Sequence, residues 1–220
     1  MLVACWSAKG GSGTTVVAAG LAAVLARSSS SGAVLVDLAG DVPAVLGLPE
    51  PDGPGVAEWL AAGPAVPPDA LGRLEVAATG GLAVLPRGGV LPDAPGRGEV
   101  LAALLAADAR PCVVDCGHVD HAGPAGVRLA VAAAAAHSLL VLRPCYLALR
   151  RAVASPIRPS GVILVDEGGR SIGRRDVEAA LGVPVRAVVA HDPKIARAVD
   201  AGLLAGRLPG LLQRPLRHVA

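Results

Sequence analysis

The residues with the clearest chemical potential lie in one short segment, 9–15, with the sequence KGGSGTT. An apolar run, Leu2–Trp6, precedes it, and an alanine-rich apolar stretch, Val16–Arg27, follows it, so the pattern predicts a strand, a glycine turn and a helix. Glycines in such a turn adopt backbone angles that other residues resist, and successive N–H groups at the helix N-terminus point at one spot that suits an anion. The candidate phosphate-binding residues are Gly10, Gly11, Ser12, Gly13, Thr14 and Thr15.

This segment departs from the usual phosphate-binding loop at one position. In the pattern GxxxxGK[ST], the Lys reaches the β- and γ-phosphates and the Ser or Thr hydroxyl holds Mg²⁺. Thr14 stands in the Lys position, whereas Thr15 stands in the metal position. Lys9 lies at the front of the loop, in a chain whose 20 basic residues include only one other lysine, Lys194.

Carboxylates follow two further predicted strands. Ligands of open α/β sheets bind at the carboxyl ends of the strands, which is where the segment Asp37–Asp41 and the residue Asp115 lie. An Asp at such a strand end can hold a Mg²⁺-bound water beside the loop hydroxyl, and the alternative is an Asp that caps the following turn. The glycine loop favours the first interpretation, with Thr15 and Asp115 as the metal residues.

The rest of the sequence predicts an α/β fold, a mostly parallel twisted sheet with helices on both faces, in one domain over residues 1–220. Eight strands are predicted: Leu2–Trp6, Ala33–Leu38, Leu74–Ala77, Leu82–Leu85, Cys112–Asp115, Leu139–Leu142, Gly161–Val165 and Val185–Val189. Seven helices are predicted: Thr15–Arg27, Val56–Ala62, Gly98–Ala107, Gly126–Ala136, Ala148–Ala154, Arg174–Leu181 and Lys194–Ala205. The region 49–98 is rich in Pro and Gly and is expected to be the least regular.

Charge and cysteine usage bound the class of protein. Residues 143–220 hold 13 of the 20 basic residues but only 6 of the 18 acidic ones. This third of the chain is therefore suited to nonspecific DNA, acidic lipid or an acidic partner, and a solvated arginine-rich surface is the alternative. The four cysteines show no CxxC spacing and no secretory leader precedes them, so reduced thiols in a cytoplasmic protein are expected.

Neither apolar segment near the end of the chain predicts a membrane attachment. The run Leu129–Leu142 is broken by His137 and Ser138, which is typical of a helix leading into a strand and not of a membrane span. The segment Leu211–Arg217 alternates basic and apolar residues, but Pro215 is expected to interrupt any helix there. We therefore expect neither a transmembrane segment nor a membrane anchor.

Together these residues resemble the MinD/ParA family of deviant Walker A ATPases, a group of P-loop proteins whose loop reads KGGxGK[ST]. The match extends over nearly the whole chain and is weakest between Pro49 and Gly98. It is carried by Lys9–Thr15, Val34–Asp37, Val113–Gly117, Ala136–Pro144, Asp192–Pro193 and Ala198–Gly202.

The resemblance implies a homodimer that binds ATP or ADP with Mg²⁺ and organises the cell interior, as in chromosome partitioning, septum placement or pilus placement. Lys9 matches the family lysine that reaches across the dimer to the partner's phosphates, and Asp37 matches an acidic residue of the catalytic site. An unrelated Rossmann dehydrogenase is disfavoured because the loop lacks GxGxxG spacing.

Three departures from the family pattern predict weak or absent ATP hydrolysis. Thr14 removes a charged hydrogen bond to phosphate, which costs roughly 1.5–3 kcal/mol. Ala39 replaces a family Asp that positions the attacking water, and Asp41 could substitute for it only in a rearranged loop. Asp166 and Glu167 stand where the family has an adenine-reading Asn, so Asp166 is a base-contacting candidate with altered preference.

Two functions from different classes follow from this resemblance. The first is a nucleotide-dependent spatial organiser, and the second is a nucleotide-independent scaffold similar to the degenerate TadZ/CpaE-type members. Nonspecific DNA binding through Arg197, Arg207, Arg214 and Arg217 is compatible with either. His118 and His121 flank the segment after Asp115, where they could gate a ligand or have no special role.

Overall fold

One eight-stranded sheet organises the part of the chain that the computed structural model describes, residues 1–119 and 126–219. The strands are β1 Leu2–Ser7, β2 Ala33–Asp37, β3 Val76–Ala77, β4 Leu82–Leu85, β5 Cys112–His118, β6 His137–Leu142, β7 Gly161–Asp166 and β8 Val185–Ala190. Their order across the sheet is β3-β4-β2-β5-β1-β6-β7-β8. Every neighbouring pair is parallel except β3 and β4.

Helices cover both faces of this sheet. They are α1 Thr14–Ser28, α2 Val42–Leu46, α3 Val56–Ala61, α4 Arg97–Ala107, α5 Gly126–Ala134, α6 Tyr146–Val153, α7 Arg174–Leu181, α8 Pro193–Asp200 and α9 Gly210–Leu216. One core lies between the sheet and α3 to α7, and the other lies between the sheet and α1, α2, α8 and α9. The predicted α/β fold with a mostly parallel sheet is therefore confirmed.

The burial of the strands follows from this double cover. Every residue of β1 and β2 is buried, which explains their continuous apolar sequences. The edge strand β8 instead alternates buried and exposed residues. Since the central strands β1, β2 and β5 carry the loops of interest at their carboxyl ends, a rigid, fully covered part of the sheet positions the site.

Two helices, α2 and α9, lie where the sequence predicted none, and the expectation for Pro215 was wrong. Helix α9 continues through Pro215 to Leu216. Leu212 and Leu216 are 0% and 1% exposed and pack against Gly20 of α1, where a β-carbon would lie 2.7 Å from Leu212 Cδ2. The close contact buries enough apolar surface to hold the helix despite the proline, and no local signal in the sequence reveals it.

Specific contacts within the irregular region between Pro49 and Gly98 hold its segments together. The Arg97 guanidinium carbon lies 4.2 Å from the centroid of the Trp59 ring, and Arg97 Nη2 donates to the Trp59 carbonyl at 3.2 Å. Glu58 accepts hydrogen bonds from Gly55 N at 2.7 Å and Gly89 N at 3.0 Å.

No helix within the described ranges is both long and apolar enough to cross a bilayer.

Candidate functional site

The glycine-rich segment forms a tight turn between β1 and α1, as its sequence predicted. Gly11 and Gly13 have φ values of +75° and +83°, a left-handed conformation that favours glycine, and Gly13 directly precedes the first residue of α1. Ser12 Oγ donates to the Lys9 carbonyl at 2.7 Å, which closes the turn on itself. The turn therefore presents the backbone N–H groups of the α1 N-terminus to one place, the arrangement that binds phosphate.

The two residues that distinguish this turn from the usual pattern lie near its two ends and differ in burial. Thr14 is buried, with 6% of its surface exposed, and is the first residue of α1. Lys9 is half-buried, and the one hydrogen bond that its Nζ makes to a described residue is a long one of 3.4 Å, to the Gly10 carbonyl. A cavity of about 750 Å³ opens over the turn and is lined by Gly10 to Val16, Ala39, Asp41, Gly117, His118 and Arg128 among others.

Asp37 and Asp115 lie directly opposite each other on the adjacent strands β2 and β5. Asp37 is 1% exposed, and its two carboxylate oxygens accept hydrogen bonds from the N–H groups of Gly40 and Val42. Burial raises the pKa of Asp37, and these two hydrogen bonds oppose the rise. Asp37 thus fixes the position of the loop that follows it and of the start of α2.

Asp115 is the most deeply buried carboxylate of the site, with 0% of its surface exposed. Its Oδ1 accepts a hydrogen bond from Gly117 N at 3.0 Å, whereas Oδ2 has no hydrogen-bond partner within the described structure. Burial raises the pKa of Asp115 to about 7; the neighbouring Thr15 hydroxyl opposes the rise and the charge of Asp37 adds to it. An unpartnered buried carboxylate oxygen beside a threonine hydroxyl fits a cation such as Mg²⁺, whose preferred ligands are oxygens.

Strand β5 does not end at Asp115, as the sequence predicted, but continues to His118. The register with β1 shifts by one residue between Asp115 and Gly117, which leaves Cys116 as the extra residue of a bulge. Gly117 has a φ of +61° and lies against Ala39, so the two predicted ligand loops contact each other. His118 lines the large cavity, whereas His121 lies outside the described residues.

Arginines that the sequence did not single out hold the loop after β2. Arg87, just after β4, donates to the Ala39 carbonyl, and Arg128 of α5 donates to the Leu38 carbonyl at 3.0 Å. Asp41 is exposed and lines the large cavity beside them. Arg87 lies just after a predicted strand, a position from which it could have been identified as a site residue. No local signal in the sequence distinguishes Arg128.

A second cavity, of about 440 Å³, adjoins the turn on the other side and is mainly apolar. It is lined by Gly11 to Gly13, Val16, Val17, Arg143, Val165, Val189 to Ala196, Val199, Asp200 and Leu212, without Lys194. Asp166, the predicted base-contacting residue, is exposed and is not among the described residues that line this cavity. Its Oδ1 instead accepts a hydrogen bond from Gly168 N at 3.0 Å, because the chain turns immediately after β7.

The neighbouring Glu167 forms ion pairs with Arg143, which follows β6, and with Arg170. Arg143 Nη1 also donates to the Gly11 carbonyl at 3.1 Å, so this arginine connects the glycine turn to the end of β7. The sequence predicted no role for Arg143, although this residue follows the carboxyl end of a predicted strand.

Together, the sheet order and the glycine turn between β1 and α1 define an α/β fold of the P-loop type. Comparison with solved structures identifies the particular fold. The septum site-determining protein MinD of Pyrococcus horikoshii OT3, complexed with Mg-ADP, is 18% identical, with a TM-score of 0.77, over 100% of this chain and 94% of that one. MinD in the MinC:MinD cell division complex of Aquifex aeolicus is 18% identical, with a TM-score of 0.78, over 99% and 93%.

A ParA family ATPase from Chlorobium tepidum TLS is also similar, with 18% identity and a TM-score of 0.74 over 98% of this chain and 95% of that one. The chain therefore has the fold of the MinD and ParA ATPases, as the resemblance of its motifs implied. No family model and no curated protein sequence matches it.

Proposed function

We propose that this chain is a nucleotide-binding protein of the MinD/ParA type that helps to place a cargo inside the cell, such as a chromosome, a septum or a pilus. The observation that carries the proposal is the combination of the glycine turn with a buried Asp115 whose Oδ2 accepts no hydrogen bond from any residue that the structure describes. A purely structural Asp at full burial normally has both oxygens hydrogen-bonded, so this geometry favours a ligand.

In this proposal the turn from Gly10 to Thr15 binds the phosphates of ATP or ADP through its backbone N–H groups. Thr15 and Asp115 hold Mg²⁺, which supplies positive charge to the phosphates. The apolar cavity of about 440 Å³ beside the turn has room for the base. The Mg-ADP complex of the P. horikoshii MinD, whose fold this chain shares, supports the same ligand class here.

Hydrolysis is weak or absent in the proposed protein, for reasons that lie in the phosphate cavity. Thr14 is buried where a lysine would contact phosphate, and Ala39 has no carboxylate to position water. The Asp37 carboxylate already accepts two backbone hydrogen bonds. In the loop after β2, the carboxylate that is left to position water is therefore the exposed Asp41, which lines the phosphate cavity. Because phosphoryl transfer depends mainly on positioning and charge, these losses affect turnover more than binding.

The proposed active form is a homodimer in which Lys9 contacts the nucleotide of the other subunit. Lys9 lies at the front of the turn, and among the described residues its ammonium group makes one long hydrogen bond, which is weak enough to be exchanged for a contact with a partner. The test is light scattering with Mg²⁺-ATP on the wild type, on Lys9→Ala, and on Lys194→Ala as the matched control. ATP-dependent dimers that only Lys9→Ala abolishes support the proposal, whereas a wild type that stays monomeric contradicts it.

The partner surface remains a separate proposal. The A. aeolicus MinD, whose fold this chain shares, was solved in complex with MinC, which supports a protein partner of unspecified identity here. Nonspecific DNA binding is proposed through four arginines that are all exposed: Arg197, Arg207, Arg214 and Arg217. It predicts an affinity that falls steeply with salt and weakens when these charges are removed, and salt-independent binding contradicts it.

The four free cysteines are consistent with the proposed cytoplasmic location.

A nucleotide-independent scaffold is the second candidate, and one observation favours it. Protein groups alone hold the loop after β2 from three directions, through Asp37, Arg87 and Arg128. A loop already fixed in this way has less to gain from a bound phosphate. Calorimetry that detects no ATP or ADP binding at millimolar concentration supports the scaffold and contradicts the first proposal.

One variant separates loss of a single group from wider decay of the site. Thr14→Lys restores the lysine of the usual pattern, and ATP binding, turnover and oligomeric state are measured beside the wild type. Turnover in Thr14→Lys shows that the remaining residues are competent. Tighter binding without turnover instead assigns the defect to Ala39.

A further inference from the structure

We infer that Arg143 provides, within the same subunit, the cationic phosphate contact that Thr14 does not. This inference rests on the proposed nucleotide site and names a residue that the loop pattern does not contain. It follows from three features of Arg143: its contact with the turn, its position in the cavity wall, and the carboxylate that holds it.

The first feature is direct contact with the phosphate turn. Arg143 Nη1 donates to the Gly11 carbonyl at 3.1 Å, so the guanidinium lies against the segment whose N–H groups would bind phosphate. In the described structure it is the one Lys or Arg from outside the turn that forms a hydrogen bond with it. The positive charge therefore lies beside Gly11, at the turn whose N–H groups would bind phosphate.

The second feature is access to the ligand. Arg143 lines the apolar cavity proposed for the base, next to Gly11, Ser12 and Gly13, and these three residues also line the larger phosphate cavity. No other Lys or Arg in the described ranges lines the apolar cavity, and Arg128 of the larger cavity already donates to the Leu38 carbonyl. Its side chain is 34% exposed, which leaves the guanidinium accessible to an entering anion. A guanidinium also has five N–H donors, so it can keep its bond to Gly11 while contacting a phosphate oxygen.

The third feature is Glu167, which pairs with both Arg143 and Arg170 and is only 14% exposed. A carboxylate at that place holds the Arg143 guanidinium near the turn when no phosphate is present. The same carboxylate would repel a phosphate if Arg143 were not there, so the pair is useful to an anion site only as a unit. The contact thereby links the end of β7 to the turn.

The test measures binding of Mg²⁺-ATP, Mg²⁺-ADP and adenosine to the full chain by calorimetry. Arg143→Gln is expected to weaken ATP and ADP binding by about 10- to 100-fold, the effect of losing a charged hydrogen bond, and to leave adenosine binding unchanged. Arg143→Lys keeps the charge and is expected to retain part of the lost affinity. Arg151→Gln, on the exposed face of α6, is the matched control, and circular dichroism verifies that every variant is folded.

Three results would overturn the inference while the proposed function stands. They are ATP binding by Arg143→Gln within about twofold of wild type, an equal loss of adenosine and ATP binding, and an Arg143→Lys variant as weak as Arg143→Gln. The last result would mean that the residue acts by shaping the turn and not by its charge. A wild type that binds no nucleotide at all overturns both the inference and the proposed function, so the two failures are distinguishable.

Discussion

Replacing Asp115 by asparagine should stabilise the metal-free protein, by an amount that grows with pH. Asparagine has nearly the same shape and keeps an oxygen that can accept the hydrogen bond from Gly117 N. Its amide nitrogen replaces Oδ2, which makes no hydrogen bond in the described structure. The substitution therefore removes a buried negative charge beside Asp37 while preserving the known contact.

The sign and size of the effect follow from the pKa of Asp115, which burial raises from 3.8 to about 7. Between these two values the folded state binds a proton that the unfolded state has released, so the free energy of unfolding falls as pH rises. At 1.36 kcal/mol per pKa unit, ionising Asp115 costs the folded protein about 4 kcal/mol above pH 7. The variant lacks this cost, so its advantage should grow by about 3 kcal/mol between pH 5 and pH 8.

Urea denaturation in EDTA without nucleotide, at pH values from 5 to 8, measures this difference directly. Asp52→Asn, the same change at an exposed residue, should follow the wild type at every pH. An Asp115→Asn advantage that stays constant or shrinks as pH rises would refute the burial argument. Adding Mg²⁺ and ADP should then stabilise the wild type but not Asp115→Asn, because the cation loses its carboxylate.

Three further substitutions test other parts of the structure. Gly20→Ala should destabilise the protein by about 1–3 kcal/mol in thermal melts, because the new β-carbon meets Leu212. Since Leu212→Ala removes that clash, the double variant should lose less stability than the sum of the two single losses. Gly13→Ala should cost about 1–2 kcal/mol through its positive φ and weaken ATP binding in calorimetry. Arg87→Gln should lower the free energy of unfolding by about 1 kcal/mol and speed hydrogen exchange around Ala39, and unchanged exchange there would contradict the proposed clamp.

Local sequence was sufficient wherever one element or one turn decides the structure. The run Leu2–Trp6 followed by KGGSGTT predicted the strand, turn and helix that the structure contains, because glycine angles and apolar periodicity act within a few residues. The helix predicted from Lys194 likewise begins within one residue of that position, at Pro193, where the Asp192 side chain accepts a hydrogen bond from Lys194 N at 2.7 Å.

Long-range contacts decided the rest. Pro215 predicted a break that the packing of Leu212 and Leu216 on Gly20 prevents. Asp166 was a base-contacting candidate because it stands where the family has an adenine-reading Asn, and in the structure its carboxylate accepts a hydrogen bond from Gly168 N in the turn after β7. Which strand-end residue enters a cavity depends on the neighbouring strand, and this information is absent from a local window.

The sequence by itself therefore determined the glycine turn, the alternation of strands and helices, and the absence of a lysine at position 14, which is Thr14. Only the tertiary structure decided that Asp115 and Asp37 lie opposite each other on adjacent strands. It also decided that Arg87 and Arg128 both contact the loop after β2, whereas Arg143 contacts the glycine turn. The reason is physical. A turn is set by the dihedral preferences of a few successive residues, whereas a charge balance depends on groups that sheet order brings together from distant parts of the chain.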